Sequence, residues 1–370
     1  MQPSSWVEVS RSALAHNLAA LRSLCGTATR LAPVVKANAY GHGLRLCAEA
    51  FVAAGADALC TNDLAEAAAV VDLGRPVLVL GPTSPADADE IATLGCEPTM
   101  TSLSQLHALA RAGIRSGRPV PVHVKLETGT NRQGLPEPEA RALVDLALRT
   151  EGVRLAGVST HLADVEDETE HTFAQVQLAR FEAAFAGLPA GVLRHCAASA
   201  AHLLFARARF DLVRPGIACF GLWPSPETRI ASEIVHGAAL ELRPALTWKT
   251  RIAEVKDAAR GDYVGYGRSL RLSRPSRIAV LPVGYYDGYD RRLSNTGAVL
   301  VRGQRAPVAG RVCMNLLMID VTGIDGVVPG DEVVLLGGAV DADALAAAMG
   351  TINYEVVSRI HERLLRVAVA

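Results

Sequence analysis

Eight short runs rich in β-forming residues alternate with Ala/Leu-rich helical stretches through the first ~235 residues. No other feature of the 370-residue sequence restricts its fold as strongly. The runs are LAPVVKA (31–37), DALCTN (57–62), PVLVLGP (76–82), CEPTMTS (96–102), VPVHVKLET (120–128), LAGVSTHL (155–162), VLRHCAAS (192–199) and LVRPGIACFG (212–221). Segments such as LRLCAEAFVAAGA and FAQVQLARFEAAFAG separate them. Eight strands joined by helices predict a TIM-type (β/α)8 barrel, where six would have favoured an open doubly wound sheet. Beyond residue 235 the texture changes: ALTWKTRIAEV, RIAVLPVGYY, AVLVRGQRAPVAGRVCMNLLMIDV and GDEVVLLGG are strand-like and punctuated by Gly, Pro, Asn and Asp. The expected division is a barrel over 6–235 followed by a mostly β domain over 236–370, with the boundary in SEIVHGAALELRP.

Half of the residues are apolar and the net charge is −1 with both signs mixed, which argues against nucleic acid or anionic lipid as a partner. The opening MQPSSWVEVS has neither a basic nor an apolar leader region. No apolar run approaches the roughly 20 residues that span a bilayer. Seven cysteines (25, 47, 60, 96, 196, 219 and 313) form an odd set without a CxxC spacing, and the ten histidines are scattered. Reduced thiols in the cytoplasm, no membrane anchor and no metal site are the expectations.

Chemistry in such a barrel sits at the C-terminal ends of the strands. Lys36 ends the first run, Lys125 the fifth, with Arg132 in the loop GTNRQG behind it. His161 ends the sixth, the seventh runs from His195 to Ser199, and the eighth delivers Arg214, Gly216 and Ile217. Loops after the last two strands commonly take phosphate, for which Ser199 offers a hydroxyl and Gly216 a close backbone approach. For Lys36, position alone leaves two readings open. Its ammonium could snorkel out of the barrel mouth, or burial could free its amine to form a Schiff base.

Seven motifs in order decide between them: VVKANAYGHG, the His195–Ala201 segment, RPGIACFG, VGYGRSL, LPVGYYDGYDRRLSN, VCMN and NYEVVSR. In this order they resemble the alanine racemase family, from about residue 6 to about 360, and every role that follows is what that resemblance implies. It implies a pyridoxal 5′-phosphate enzyme that interconverts L- and D-alanine and supplies D-alanine for peptidoglycan. Lys36 matches the cofactor lysine and first catalytic base, and Tyr266 the second base, reaching the partner's site in a homodimer with shared active sites. Tyr40, Ser199, Gly216, Ile217 and Tyr354 match the phosphate pocket. Arg214 matches the arginine facing the pyridine nitrogen, His195 its support, and His161 a histidine near the ring and the catalytic tyrosine. Arg132 and the backbone of Met314 match the substrate-carboxylate site, and Tyr285 the substrate entrance. Lys125 matches a lysine that is carbamylated in many members and holds the arginine at Arg132.

Those residue types suit the reaction. Racemisation removes a Cα proton from one face and delivers one to the other, which takes two bases, and Lys and Tyr have similar ordinary pKa values near 10. A guanidinium at the pyridine nitrogen cannot give up its proton, so the ring is a weaker electron sink than with a carboxylate there. The chain departs from the family at Ala198, where Asn is usual, at Asn315, where Asp is usual, and in SRIHERLLRVAVA, which lacks a terminal tyrosine. These departures bear on substrate range, and a broader racemase acting on serine or lysine stays open beside alanine. A barrel-type decarboxylase would carry a glutamate where Arg214 stands.

Overall fold

The computed structural model describes residues 4–166, 170–237 and 240–370. The chain divides into two compact units. One holds Ala13–Ala39 and Leu44–Arg243; the other holds the segment ending at Ser12, Tyr40–Gly43 and Pro244–Ala370.

β1 (Ser5–Ser10) opens the chain but not the barrel. The barrel strands are β2 (Arg30–Leu31), β3 (Leu59–Thr61), β4 (Val77–Val79), β5 (Glu97–Met100), β6 (Val120–Lys125), β7 (Val153–Ser159), β8 (Leu193–His195) and β9 (Leu212–Val213). β3 to β8 form one parallel ladder in sequence order, and β2 pairs in parallel with β9. Backbone bonds join the two sets. Val35 N–H donates to the Cys60 carbonyl, Cys60 N–H to the Pro33 carbonyl, and Arg214 N–H to the Ala197 carbonyl. The expected (β/α)8 barrel is therefore closed on itself. The first run is shorter than its sequence suggests because Pro33 has no N–H to give to a ladder.

After Val35 the chain turns left-handed. Ala37, Asn38, Ala39 and Tyr40 have φ of 54, 54, 55 and 52°, and Gly41 follows at 81°. Each non-glycine residue in this conformation costs roughly 1–2 kcal/mol, so the surroundings must hold it. Ala39 N–H donates to the Val35 carbonyl at 2.8 Å, and Asn38 Oδ1 accepts the Leu44 N–H at 2.8 Å. The sequence carries little sign of this turn beyond Asn38 and Gly41, residue types that enter positive φ readily.

The second unit is built on β10 (Leu246–Arg251), β11 (Glu254–Ala258), β12 (Tyr263–Val264), β13 (Leu270–Arg271), β14 (Ser276–Leu281), β15 (Ala298–Val301), β16 (Gln304–Pro307), β17 (Leu317–Asp320), β18 (Glu332–Leu336) and β19 (Leu365–Val369). Its large sheet runs β16-β15-β18-β10-β1-β19, beside a β11-β14-β17 sheet and a β12-β13 pair. β1 lies antiparallel to β10 and parallel to β19. Its Val7 and Val9 are fully buried.

Both ends of the expected 6–235 segment therefore shift. Residues 6–10 belong to the β-rich unit. At the other end a helix continues from Pro226 to His236, and Asn17 binds Arg243 in both directions, accepting its N–H at 2.7 Å and donating to its carbonyl at 2.8 Å. That pair fastens residue 243 to the barrel unit.

Ala→Gly in an ordinary helix costs about 1 kcal/mol. At the exposed Ala37 the sign should differ, because glycine enters the left-handed region without strain. Urea unfolding of Ala37→Gly should show stability unchanged or raised by up to ~1 kcal/mol; a loss of ordinary helical size would mean the turn is not strained.

Candidate active site

Strand alternation sets the inner face of the barrel. In VPVHVK, Val120, Val122 and Val124 are buried on one side, leaving Pro121, His123 and Lys125 on the other. Register places His123 opposite Gly157 and Lys125 opposite Ser159, which in turn pairs with His195. A Cβ at Gly157 would lie 2.5 Å from His123 Nδ1, so the glycine makes room for the imidazole.

His123 is the centre of a buried chain. Its Nε2 is 2.7 Å from Glu97 Oε2, and its Nδ1 is 2.9 Å from His195 Nε2. Burial alone would raise the Glu97 carboxyl, but the His123 hydrogen bond and the Arg154 charge leave it below the usual range. His195 is buried, and its Nδ1 has no hydrogen-bond partner among the described residues. Burial and the Arg214 charge hold its imidazole neutral.

Above this chain sits a cluster of cations. Arg214, immediately after β9, is buried and donates from Nη2 to the Thr160 carbonyl at 2.9 Å and the Cys196 carbonyl at 3.4 Å. Burial lowers the Lys36 amine, Arg132 and Arg214 lower it further, and Glu66 opposes them. Lys125 is pushed down to about 8 by burial, then by Arg214 and Arg132. Burial and Arg214 push His161 down to about 3, so it is neutral at physiological pH. Arg132, His161, Cys196 and Ala198 line a cleft of about 160 Å³ here.

The last two loops are tied together. Ser199 Oγ accepts the Gly216 N–H at 2.9 Å and the Ala218 N–H at 3.3 Å, where Ile217 opens a 3-10 turn. The serine is buried.

The β-rich unit carries the other candidates. Tyr266 sits between Gly265 (φ 71°) and Gly267 (φ 68°) and is 72% exposed. Tyr285 N–H donates to the Cys313 carbonyl and Tyr286 N–H to the Met314 carbonyl, so VGYYDG and VCMN lie side by side. A Cβ at Gly284 would fall 2.2 Å from the Cys313 oxygen, which accounts for glycine in that motif. Tyr266, Tyr285, Cys313 and Met314 line a cleft of about 440 Å³. Tyr40 belongs to this unit, its ring 6.1 Å from that of Tyr354. Arg366 holds the loop by donating from Nη2 to the Gly41 carbonyl at 2.9 Å.

Comparison with known families agrees with this architecture. The model of the alanine racemase N-terminal domain matches residues 9–224, and that of the C-terminal domain matches residues 245–368. An alanine racemase of Desulfovibrio desulfuricans is 41% identical, covering 98% of both chains. The chain belongs to the alanine racemase family. Among solved alanine racemases, the enzyme of a D-cycloserine-producing Streptomyces lavendulae superposes with a TM-score of 0.91 at 31% identity, covering 100% of this chain and 98% of that one. The Bartonella henselae enzyme, solved with covalently bound pyridoxal phosphate, superposes at 0.87 with 26% identity and 100% coverage of both.

Lys125 bonds Gln133 Oε1 at 3.2 Å, and Arg132 is held through its N–H on Glu127 Oε2 at 3.3 Å. His195 Nε2 meets His123 Nδ1, and Arg214 Nη2 donates to the Thr160 and Cys196 carbonyls. Sequence reading missed Glu97, His123 and Glu66. For His123 a signal existed: two-residue spacing from Lys125 puts both on one strand face. None of the seven cysteines is in a disulfide. Among the described residues no helix is long and apolar enough to cross a membrane.

The Lys125 amine carries a pH signature. Its folded pKa of about 8 lies below the ordinary 10.5. Between the two the unfolded chain binds more protons, so stability rises with pH through that window. Denaturant unfolding across it should show that rise in the native chain and a smaller one in Lys125→Met. Equal rises would place the titrating group elsewhere.

Proposed function

We propose that this enzyme interconverts L- and D-alanine with pyridoxal 5′-phosphate held on Lys36, and so supplies D-alanine for cell-wall peptidoglycan from the cytoplasm. The observation that carries the reading is the gathering of Lys36, Lys125, Arg132 and Arg214 at the strand ends, where their charges act on one another, with Ser199 bonded to the backbone two residues past Arg214. Such an excess of positive charge fits a group bearing a phosphate together with a substrate carboxylate. Ser199, Gly216, Ile217, Tyr40 and Tyr354 would hold the phosphate, Arg214 would face the pyridine nitrogen, and His161 would sit near the ring. Arg132, the Met314 backbone and Tyr285 would receive the substrate.

When bound, pyridoxal phosphate supplies the electron sink that acidifies the Cα–H bond. The depressed Lys36 amine takes or returns the proton on one face. The Tyr266 phenol serves the opposite face, so the proton lost to one is replaced from the other. Arg214 keeps its proton throughout. It thereby withholds one from the ring nitrogen, which favours return of the proton to Cα. Lys125 is the candidate for carbamylation, which would convert one of the four cations into an anion beside Arg132.

Tyr266, Met314 and Leu316 are exposed on the β-rich unit, which supports a homodimer in which Tyr266 completes the partner's site. Borohydride treatment should fix a pyridoxyl group on Lys36, and peptide mapping that finds it on Lys125 or Lys256 would overturn the assignment. A panel of L-amino acids should show alanine racemised first; release of carbon dioxide would identify a decarboxylase instead.

Lys36→Ala and Tyr266→Phe should each lose ~10²–10⁴-fold in rate. Mixed dimers place both lesions in one site and leave the other whole, so subunit exchange should restore up to about one quarter of native activity. No recovery, with dimers shown by size analysis to have mixed, would reject the shared site.

A further inference from the structure

Lys36 stands at the start of the left-handed turn, and the turn is tied to the next strand by one side chain. Glu66 Oε1 accepts the Ala37 N–H at 2.6 Å, and Glu66 Oε2 accepts the Asn62 N–H at 2.8 Å. Both oxygens of one carboxylate are thus used on backbone groups, one in the turn and one just past the end of β3. Each anchor is itself fixed. Asp63 caps the helix bearing Glu66 by accepting its N–H at 3.0 Å. The Asn62 carbonyl accepts the Gly81 N–H at 3.0 Å, and a Cβ at Gly81 would lie 2.4 Å from that carbonyl. Asn62 therefore has a set position only because residue 81 is glycine.

We propose that Glu66 is the positioning residue of Lys36: a two-pronged carboxylate clamp that holds the strained turn in its left-handed form and brings a negative charge to the same strand end. The role of the amine rests on the functional reading above; the clamp does not. A run of non-glycine residues at positive φ persists only where its surroundings over-determine it. The Ala37 amide has a charged acceptor, a stronger hold than a neutral one. The charges acting on Lys36 are Arg132 and Arg214 on one side of the balance and Glu66 on the other. Among these Glu66 is the anion. Its charge opposes the neighbours that lower the amine.

Two substitutions separate the clamp from mere packing. Glu66→Ala removes both acceptors and the charge. Glu66→Gln keeps the shape and one acceptor oxygen, but turns an NH2 donor against the other N–H. Hydrogen exchange on the full-length protein as purified should show the Ala37 and Asn62 amides exchanging at least about tenfold faster in Glu66→Ala, the size of a lost hydrogen bond to a charged group. In Glu66→Gln one of the two should speed up, which keeps the test open if the alanine variant fails to fold. A second readout is labelling of Lys36 by an amine-directed sulfonate on full-length protein stripped of aldehyde cofactor, followed by peptide mapping against pH. The midpoint for Lys36 should move to lower pH in Glu66→Gln, because the opposing charge is gone, while labelling of the exposed Lys256 stays put. Native exchange rates in both variants, or an unmoved Lys36 midpoint in Glu66→Gln, would overturn the proposal. Neither measurement needs the cofactor, so a cofactor mapped to another lysine would sink the functional reading and leave the clamp standing.

Discussion

Mutual repulsion among cations at one mouth of a closed barrel is the constraint on which this structure turns. Lys36, Lys125, Arg132 and Arg214 each come from a different strand end or loop, and barrel closure is what brings them together. Coulomb repulsion at such range is strong away from bulk water. The chain meets it in three ways: burial and crowding push two lysines towards the neutral amine, Glu66 and Glu127 supply counter-charge, and His161 is driven neutral. A mouth so charged is ready for an anion, and its lysines are reactive rather than inert. Stability has been spent on reactivity at this one place.

Much of the barrel was readable because its strands are buried on both faces and separated by helices of the right length. The count of eight came from the runs themselves. Closure rests on details no run displays: Pro33 interrupts the first ladder, and the joins there are a few backbone bonds outside the strands. The site was readable where a residue type is costly to place, as with Lys36 and Arg214. It was unreadable where geometry alone makes the function. Glu97 and Glu66 look like ordinary charged residues, and only the folded chain shows that each accepts a buried or strained N–H. The left-handed turn is barely visible for the same reason, since Ala-Asn-Ala-Tyr has no residue that requires it.

The buried Glu97–His123–His195 chain gives the barrel an unusual interior. A (β/α)8 core is ordinarily layered with branched apolar side chains. Here a carboxylate and two imidazoles occupy part of it, with Gly157 cut back to admit them. Such a chain is favourable only when its members are matched. Glu97 fixes which nitrogen of His123 carries a proton, and His123 does the same for His195, so a carboxylate at the start of β5 settles the tautomer at the end of β8.

The order of synthesis gives the β-rich unit a peculiar history. β1 is made before the barrel strands, yet its neighbours β10 and β19 are made after all of them. Until then an apolar strand with two unpaired edges has to wait while the intervening barrel folds. Non-local pairing of this kind is slow, and open edges invite association with other chains. The nascent protein is therefore exposed to aggregation until β19 is made, and a chain without β19 would leave β1 with one edge bare.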